Sequence, residues 1–203
     1  MTALATALGT VILAAGAGRR FGGAKQLARW GDTCLLQHAI DSCSGIVDNT
    51  TYLVLGAHRQ AIESSLPLGE VTVLGNPGWS EGIAASIRTA VSRLAQSHQA
   101  LLFVAADQVL LTRAHLLQVT DAWHRQPGKI CCAWYHNKPG IPALFPAPYY
   151  AELLQLEGDS GARKLLLQHP ADRIDVPLPE AAIDIDTRAT LAQLNCTSDA
   201  NLH

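Results

Sequence analysis

The segment Leu13–Lys25, LAAGAGRRFGGAK, sets glycines at 16, 18, 22 and 23 among three cations, Arg19, Arg20 and Lys25. Glycines free the backbone to wrap a ligand and to aim N–H groups at phosphate oxygens. The cations would neutralise a polyphosphate, and Lys25 would stabilise charge developing on a transferred phosphoryl group. No Gly-Lys-Ser/Thr closes the string, so it is not a Walker A loop. Gly16 and Gly18 form a G-x-G, but the third glycine of a dinucleotide fingerprint falls at Phe21. The next apolar run, Thr51–Leu55, ends in Gly56 and not in the acidic residue that such a fingerprint needs. A charged surface turn is the plain alternative, and it leaves three cations among four glycines unexplained.

Carboxylates come from two places. Asp107 follows the apolar run Ala100–Ala105, where a strand of an open α/β sheet would deliver it to the ligand crevice. Asp184 and Asp186 flank Ile185, and on extended chain they point to the same side. Two close carboxylates raise each other's pKa unless a cation sits between them. Taken alone, Asp107 could simply open a loop, and the pair could be a solvated strand edge. Beside a phosphate loop, Mg²⁺ held by one or two carboxylates and phosphate oxygens accounts for all of them together.

Two further segments carry weaker signals. Asn76-Pro77-Gly78-Trp79 with Gly82 and Ser86 reads as a turn and helix start at which a base could approach the backbone; the alternative for Trp79 is a packing anchor. Gly158–Arg163 reads as a turn capping a helix, with Arg163 placed either for an anionic substrate or for a surface ion pair. The eight histidines show no H-x-H or H-E-x-x-H spacing, and no G-x-S-x-G elbow supports a serine hydrolase.

Positioning these groups requires alternating strands and helices. Thr10–Ala15, Thr51–Leu55, Val71–Leu74 and Ala100–Ala105 read as buried strands. Ile83, Ile87, Val91 and Leu94 share one helical face, as do Leu35, Leu36, Ala39 and Ile40, and less cleanly Leu116, Leu117, Val119 and Trp123. The pattern predicts a mostly parallel sheet covered on both faces. Further on it predicts paired strands at Ile130–Trp134 and Pro142–Phe145, helices over Tyr149–Leu156 and Ser160–Gln168, a short strand at Ile183–Asp186 and a helix through Leu194.

Composition sets the outer bounds. A chain of 203 residues with 48% hydrophobic and 16% charged side chains can bury a sizeable core. Fifteen basic against seventeen acidic side chains give a net charge of −2, which argues against nucleic acid or an anionic membrane as partner. Five cysteines without C-x-x-C spacing suit a reduced, cytoplasmic chain. Met1–Ala15 is apolar but lacks a charged lead, so it does not read as a secretory signal, and no run is long enough to span a membrane.

Six segments, in order, resemble the nucleotidyltransferases of the molybdenum cofactor group, most closely the molybdenum cofactor cytidylyltransferases. The pattern L-A-A-G-x-S-x-R-[MF]-G-x-x-K is met by Leu13, Ala14, Ala15, Gly16, Arg20, Phe21, Gly22 and Lys25. N-P-x-W-x-x-G-x-x-x-S is met by Asn76, Pro77, Trp79, Gly82 and Ser86. D-Q-P, G-x-P-x-x-F, G-D-x-G-A-R and D-I-D-T then fall at Asp107, Gly140, Gly158 and Asp184. The resemblance implies an α/β, Rossmann-like three-layer α/β/α nucleotidyltransferase fold with a mostly parallel central sheet. One NTP-transferase domain would span residues 1–195, with 196–203 a frayed tail.

The same resemblance implies Lys25, Arg20 and Asp107 as catalytic residues, the two cations lying at the triphosphate. It implies a nucleotide lined by Leu13, Ala14, Ala15, Gly16, Ala17, Gly18, Arg19, Asn76, Gly82 and Ser86. Mg²⁺ would sit on Asp107 and the pair Asp184/Asp186, with Asp186 favoured, and the acceptor beside Gly140, Pro142, Asp159 and Arg163. Ala15 stands where guanylyl-transferring relatives carry glycine, which favours CTP. The expected partners are then CTP, a molybdopterin-type phosphorylated acceptor, and a client molybdoenzyme or its chaperone. A sugar phosphate or other phosphorylated acceptor, or a non-catalytic cofactor carrier, are the alternatives. Departures from the pattern are Gly18 for serine, Val109 for the proline of D-Q-P, Arg188 for the proline after D-I-D-T, and Gly140-Ile141-Pro142 for G-H-P.

Overall fold

The computed structural model describes residues 8–46, 51–159 and 161–200. The expectations for Met1–Ala7, for Ser160 and for the last three residues of the tail lie outside them. In chain order the elements are β1 (Leu8–Leu13), β2 (Arg29–Trp30), β3 (Thr33–Cys34), α1 (Leu35–Cys43), β4 (Thr51–Leu55), α2 (Arg59–Ser65), β5 (Thr72–Gly75) and α3 (Ile83–Leu94). They continue with β6 (Ala100–Ala105), α4 (Arg113–Arg125), β7 (Ile130–Tyr135), β8 (Lys138–Pro146), α5 (Tyr150–Leu153), α6 (Arg163–Gln168), β9 (Arg173–Pro177) and α7 (Arg188–Ala200). Seven strands form one sheet in the order β5-β4-β1-β6-β8-β7-β9. Only β8 runs antiparallel to its neighbours.

The unbroken apolar runs are buried on both faces, as a covered parallel sheet requires. Leu8, Ile12, Leu102 and Val104 face α1 and α4 through Leu36, Ala39, Leu116, Val119 and Trp123. Val11, Leu13, Leu101 and Phe103 face α3 and α6 through Ile87, Val91, Leu94, Leu165 and Leu166. Each fully buried Leu or Ile contributes on the order of 2 kcal/mol, so the two helix layers hold the sheet and with it the loops at its carboxyl edge. The β7–β8 hairpin closes through His136 and Asn137, both at positive φ, as a tight two-residue turn demands. Among the described residues no helix is long and apolar enough to cross a membrane.

Several boundaries differ from expectation. β1 ends at Leu13, so Ala14 and Ala15 belong to the loop. The Tyr149–Leu156 helix is reduced to one turn after a 3-10 turn, and the helix expected from residue 160 begins at Arg163. Ile183–Asp186 is not a strand. It is extended chain joined to its neighbour by one backbone bond, Ile185 N to Asp107 O at 3.0 Å, because no strand lies alongside to form a ladder. The strand that pairs with β7 on the side away from β8 is β9, which the pattern missed, as it missed α2. The last helix runs past Leu194 to Ala200.

Candidate active site

From β1 the chain moves outward to β4 and β5, then returns to the other side of β1 as β6. The loops leaving β1 and β6 therefore part in opposite directions, and the crevice between them is where open α/β sheets take ligands. A cavity of about 450 Å³ lies there, within the range of small-ligand sites. Residues Leu13, Ala14, Ala15, Gly16, Ala17 and Gly18 all line it. Trp79, Gly82 and Ser86 wall it on the β4–α3 side, and Arg20, Lys25 and Asp107 on the β6 side.

A small apolar cluster separate from the two main cores sets these charged segments. Phe21 of the glycine loop, Leu35 of α1, Val109, Ile185 and Leu191 of α7 pack together. The three segments that carry Arg20, Asp107 and Asp184/Asp186 thus share one anchor, each with an apolar residue buried next to its charge. Two of the departures from the family pattern acquire roles here. Val109 is core, and Arg188 lies over the Phe21 ring with its guanidinium 4.9 Å from the ring centre while Nε donates to Phe21 O at 3.2 Å. Gly18 is the third. Its φ is +61°, and a Cβ there would lie 2.1 Å from Gly23 O, so serine cannot occupy this loop conformation. The loop closes by Gly22 N and Gly23 N donating to Gly18 O at 2.8 and 3.2 Å.

Charge concentrates where the cluster holds it. The Lys25 ammonium donates to Asp107 Oδ2 and, at 3.1 Å, to Ile185 O, and lies 3.8 Å from Asp186 Oδ1. Arg20 reaches the same Asp186 oxygen at 2.9 Å. Asp184 is exposed and, like Asp186, lies outside the residues that line the cavity. Crowding by protein withdraws water from its carboxyl and pushes it up to about 6; Asp107 and Asp186 add to the rise, and Lys25 and Arg163 oppose it. The ammonium thus occupies the place of a cation between two hard oxygen ligands, and the third carboxylate registers the surplus negative charge. Among the described residues no three acidic, histidine or cysteine side chains form a complete metal cage. Two carboxylates open to phosphate oxygens fit Mg²⁺, which keeps water and phosphate in its shell.

Asp184 also makes a pH prediction. Between its ordinary range near 4 and its raised value near 6, the folded chain keeps a proton that the unfolded chain has lost. Stability from this group therefore falls as pH rises through that window and stays lost above it. Asp184→Asn should raise the metal-free melting temperature at pH 7.5 and leave it little changed at pH 4. An equal shift at both pH values would show that the carboxyl is not perturbed by its neighbours.

The remaining predicted residues divide. Asn76 donates from Nδ2 to Ser86 Oγ at 3.1 Å, which leaves the serine its own hydrogen to donate. Gly82 has φ +108° and backs so closely on Gly158 and Asp159 that a Cβ would lie 2.3 Å from Asp159 Oδ1. Asp159 therefore lines the same cavity as the glycine loop. Gly140 and Pro142 are buried within β8, and Gly140 lies under the Tyr135 hydroxyl. Tyr135 and Arg163 do not line the cavity; they lie near Asp184. Arg163 hydrogen-bonds the phenol and donates from Nε to Pro139 O at 3.3 Å. Burial, with Asp184 next, pushes the Tyr135 phenol up.

Tyr135, Gln26 and His58 were not legible as site residues. Gln26 is 3% exposed and donates to Ala14 O and Gly16 O. His58 Nε2 lies 2.9 Å from Ala17 O. A polar residue just past the carboxyl end of a central strand was the available signal for His58; nothing in the local pattern marks the other two.

The fold and this site define a nucleotidyltransferase. Residues 10–174 match the MobA-like NTP transferase domain, and the chain belongs to that family. It is 30% identical over 190 residues to a nicotine blue oxidoreductase of Paenarthrobacter nicotinovorans, covering 87% of this chain and 91% of that protein. It is 24% identical over 186 residues to a molybdenum cofactor cytidylyltransferase of Escherichia coli strain K12, covering 90% and 92%. Among solved structures, Rv0371c from Mycobacterium tuberculosis H37Rv superposes with a TM-score of 0.80 at 28% identity, covering 94% of this chain and 98% of that one. The same protein has been solved in complex with manganese, at a TM-score of 0.74 and 25% identity, covering 95% and 100%.

Proposed function

We propose that this chain transfers CMP from CTP to the terminal phosphate of a molybdopterin-type acceptor in the cytoplasm, releasing pyrophosphate. The observation that carries the reading is the Lys25 ammonium shared by Asp107 and Asp186 at the mouth of the glycine loop. In this reaction an acceptor phosphate oxygen forms a bond to the α-phosphorus as the bond to the β-phosphate oxygen breaks. The nucleophile is already an anion, so the difficulty is the approach of two negative groups and not deprotonation.

Lys25, freed from the carboxylates, would follow charge onto the leaving pyrophosphate, with Arg20 and Arg19 at its outer oxygens. Asp107 and Asp186 would hold Mg²⁺, which supplies charge neutralisation at the phosphates when bound. The backbone of residues 14–18 would fix the nucleotide so that the α-phosphorus meets the acceptor in line. Arg163, near Asp184 and hydrogen-bonded to the Tyr135 phenol, would meet an anionic acceptor. The relative of E. coli supports this acceptor class.

Pyrophosphate release with Mg²⁺, a molybdenum-loaded molybdopterin and each of the four NTPs is the test. Release with CTP alone supports the reading, and release with GTP alone discards its base. With no release, a panel of sugar phosphates and other phosphorylated acceptors decides whether the acceptor is wrong or the chain is a carrier.

The relative of higher identity is named for oxidoreductase chemistry, and this favours one second reading, a hydride transfer with a nicotinamide nucleotide in the same cavity. Against it stand Phe21, buried where the fingerprint needs glycine, and Gly56, where it needs an acid. Loss of nicotinamide absorbance with an oxidised heteroaromatic substrate, without pyrophosphate release, would select that reading.

A further inference from the structure

Arg188 opens α7, a helix fixed without help from the glycine loop. Thr187 caps it, its Oγ1 accepting from Thr190 N at 3.1 Å and its carbonyl from Leu191 N at 3.1 Å. Further along, Asn195 donates from Nδ2 to Arg29 O at 3.3 Å. From the start of this helix the Arg188 guanidinium crosses to Phe21, lying 4.9 Å from the ring centre while Nε donates to the Phe21 carbonyl at 3.2 Å. Phe21 stands between Gly18 and Gly22, whose φ values are +61° and +84°. Glycine leaves such a conformation at little cost, so a turn built on it keeps one shape only where something outside holds it.

Among the described residues, the other polar links between this turn and residues 184–188 are made by Arg20 and Lys25. Arg20 reaches Asp186 at 2.9 Å, and Lys25 reaches Ile185 O at 3.1 Å and Asp186 at 3.8 Å. Both are cations that the phosphates of a nucleotide would draw away. The Arg188–Phe21 contact uses none of the reacting groups, and neither residue lines the cavity. We infer that Arg188 is a positioning residue: by gripping Phe21 it holds the turn from Gly18 to Lys25 beside Asp186, so that the Lys25 ammonium stays within reach of a bound phosphate through the reaction. The inference rests on the transfer reading, in which Lys25 is catalytic, and it gives a task to an exposed arginine that stands where the family pattern has proline.

The test uses Arg188→Met, Arg188→Lys and Arg188→Pro in the full chain. Arg188→Met should lower kcat for pyrophosphate release about tenfold or more and leave the KM for nucleotide within about twofold. Its melting temperature should stay close to that of wild type, as expected for a change to an exposed side chain. Arg188→Pro should match it, since proline suits the first position of a helix. Arg188→Lys, which keeps a cation for the ring and a donor for the carbonyl, should recover part of the loss. In a Lys25→Ala background the methionine substitution should change kcat by less than about twofold, because its effect passes through an ammonium already gone. Hydrogen exchange needs no reaction. The Gly22 and Gly23 amides, which donate to Gly18 O, should exchange several fold faster in Arg188→Met, with Ala100–Ala105 unchanged.

Equal losses of kcat with and without Lys25, a loss matched by a drop in melting temperature, or unchanged exchange at Gly22 and Gly23 would each overturn the inference. If the wild-type chain releases pyrophosphate from no NTP with any acceptor, the transfer reading fails, and the exchange measurement still decides whether Arg188 holds the turn.

Discussion

Lys25→Ala is expected to lower CTP-dependent pyrophosphate release by about a thousandfold, which corresponds to about 4 kcal/mol of transition-state stabilisation. The ammonium is the cation nearest both the glycine loop and the carboxylates, and Arg20 and Arg19, both exposed, cannot replace it at the same depth. Because the ammonium would meet charge that develops only as pyrophosphate leaves, the loss should fall on kcat more than on the KM for nucleotide. The same substitution removes the only ammonium that Asp107 and Asp186 share among the described residues. Without metal, the variant should therefore melt earlier than wild type at pH 8, since the carboxylates lose the cation between them. Turnover within tenfold of wild type would remove Lys25 from the reaction and with it the observation on which the proposed function rests.

Asp107→Asn should also cut turnover, by about a hundredfold to a thousandfold, but with the opposite companion effect on stability. Three carboxylates crowd one ammonium, so taking one negative charge away relieves repulsion on Asp184 and leaves Lys25 to Asp186. The metal-free variant should melt no earlier than wild type at pH 8. The frame survives because the Asp107 backbone carbonyl, not its side chain, holds Ile185 N, and Val109 stays buried in the small cluster. Raising Mg²⁺ should recover part of the lost rate if the carboxylate is a metal ligand. A variant with normal Mg²⁺ dependence and normal turnover would move the metal elsewhere. Inactivation by both substitutions with opposite shifts in melting temperature separates a charge-handling pair from two residues that merely hold the fold together.

The local pattern by itself determined the central strands and the two charged loops that leave them. Apolar runs such as Ala100–Ala105 can only be buried on both faces, and a glycine-rich, cationic string straight after such a run has few structural uses. Asp107 could be assigned for the same reason, because strand polarity alone carries it to the crevice. Only the tertiary structure decided the rest, since it depends on which distant segments become neighbours. β9 was hidden because Arg173 and Asp175 make it look like loop, whereas in the fold they pair with each other and Arg173 lies over Trp134 of β7. A charged edge strand of this kind is also what keeps a sheet from pairing with another chain.

Ile183–Asp186 has a strand's alternation, yet it becomes a single extended crossing because its one available neighbour is the Asp107 loop. Gly18, Val109 and Arg188 read as departures from a pattern until the contacts with Gly23, with the small apolar cluster and with Phe21 show what each replaces. Gln26 and His58 carry no motif at all. His58 comes to hold Ala17 because β4 pairs with β1 and brings the end of one strand beside the loop of the other, a long-range contact that no window of sequence contains, whereas Gln26 folds back onto Ala14 and Gly16 from the turn that closes the same loop.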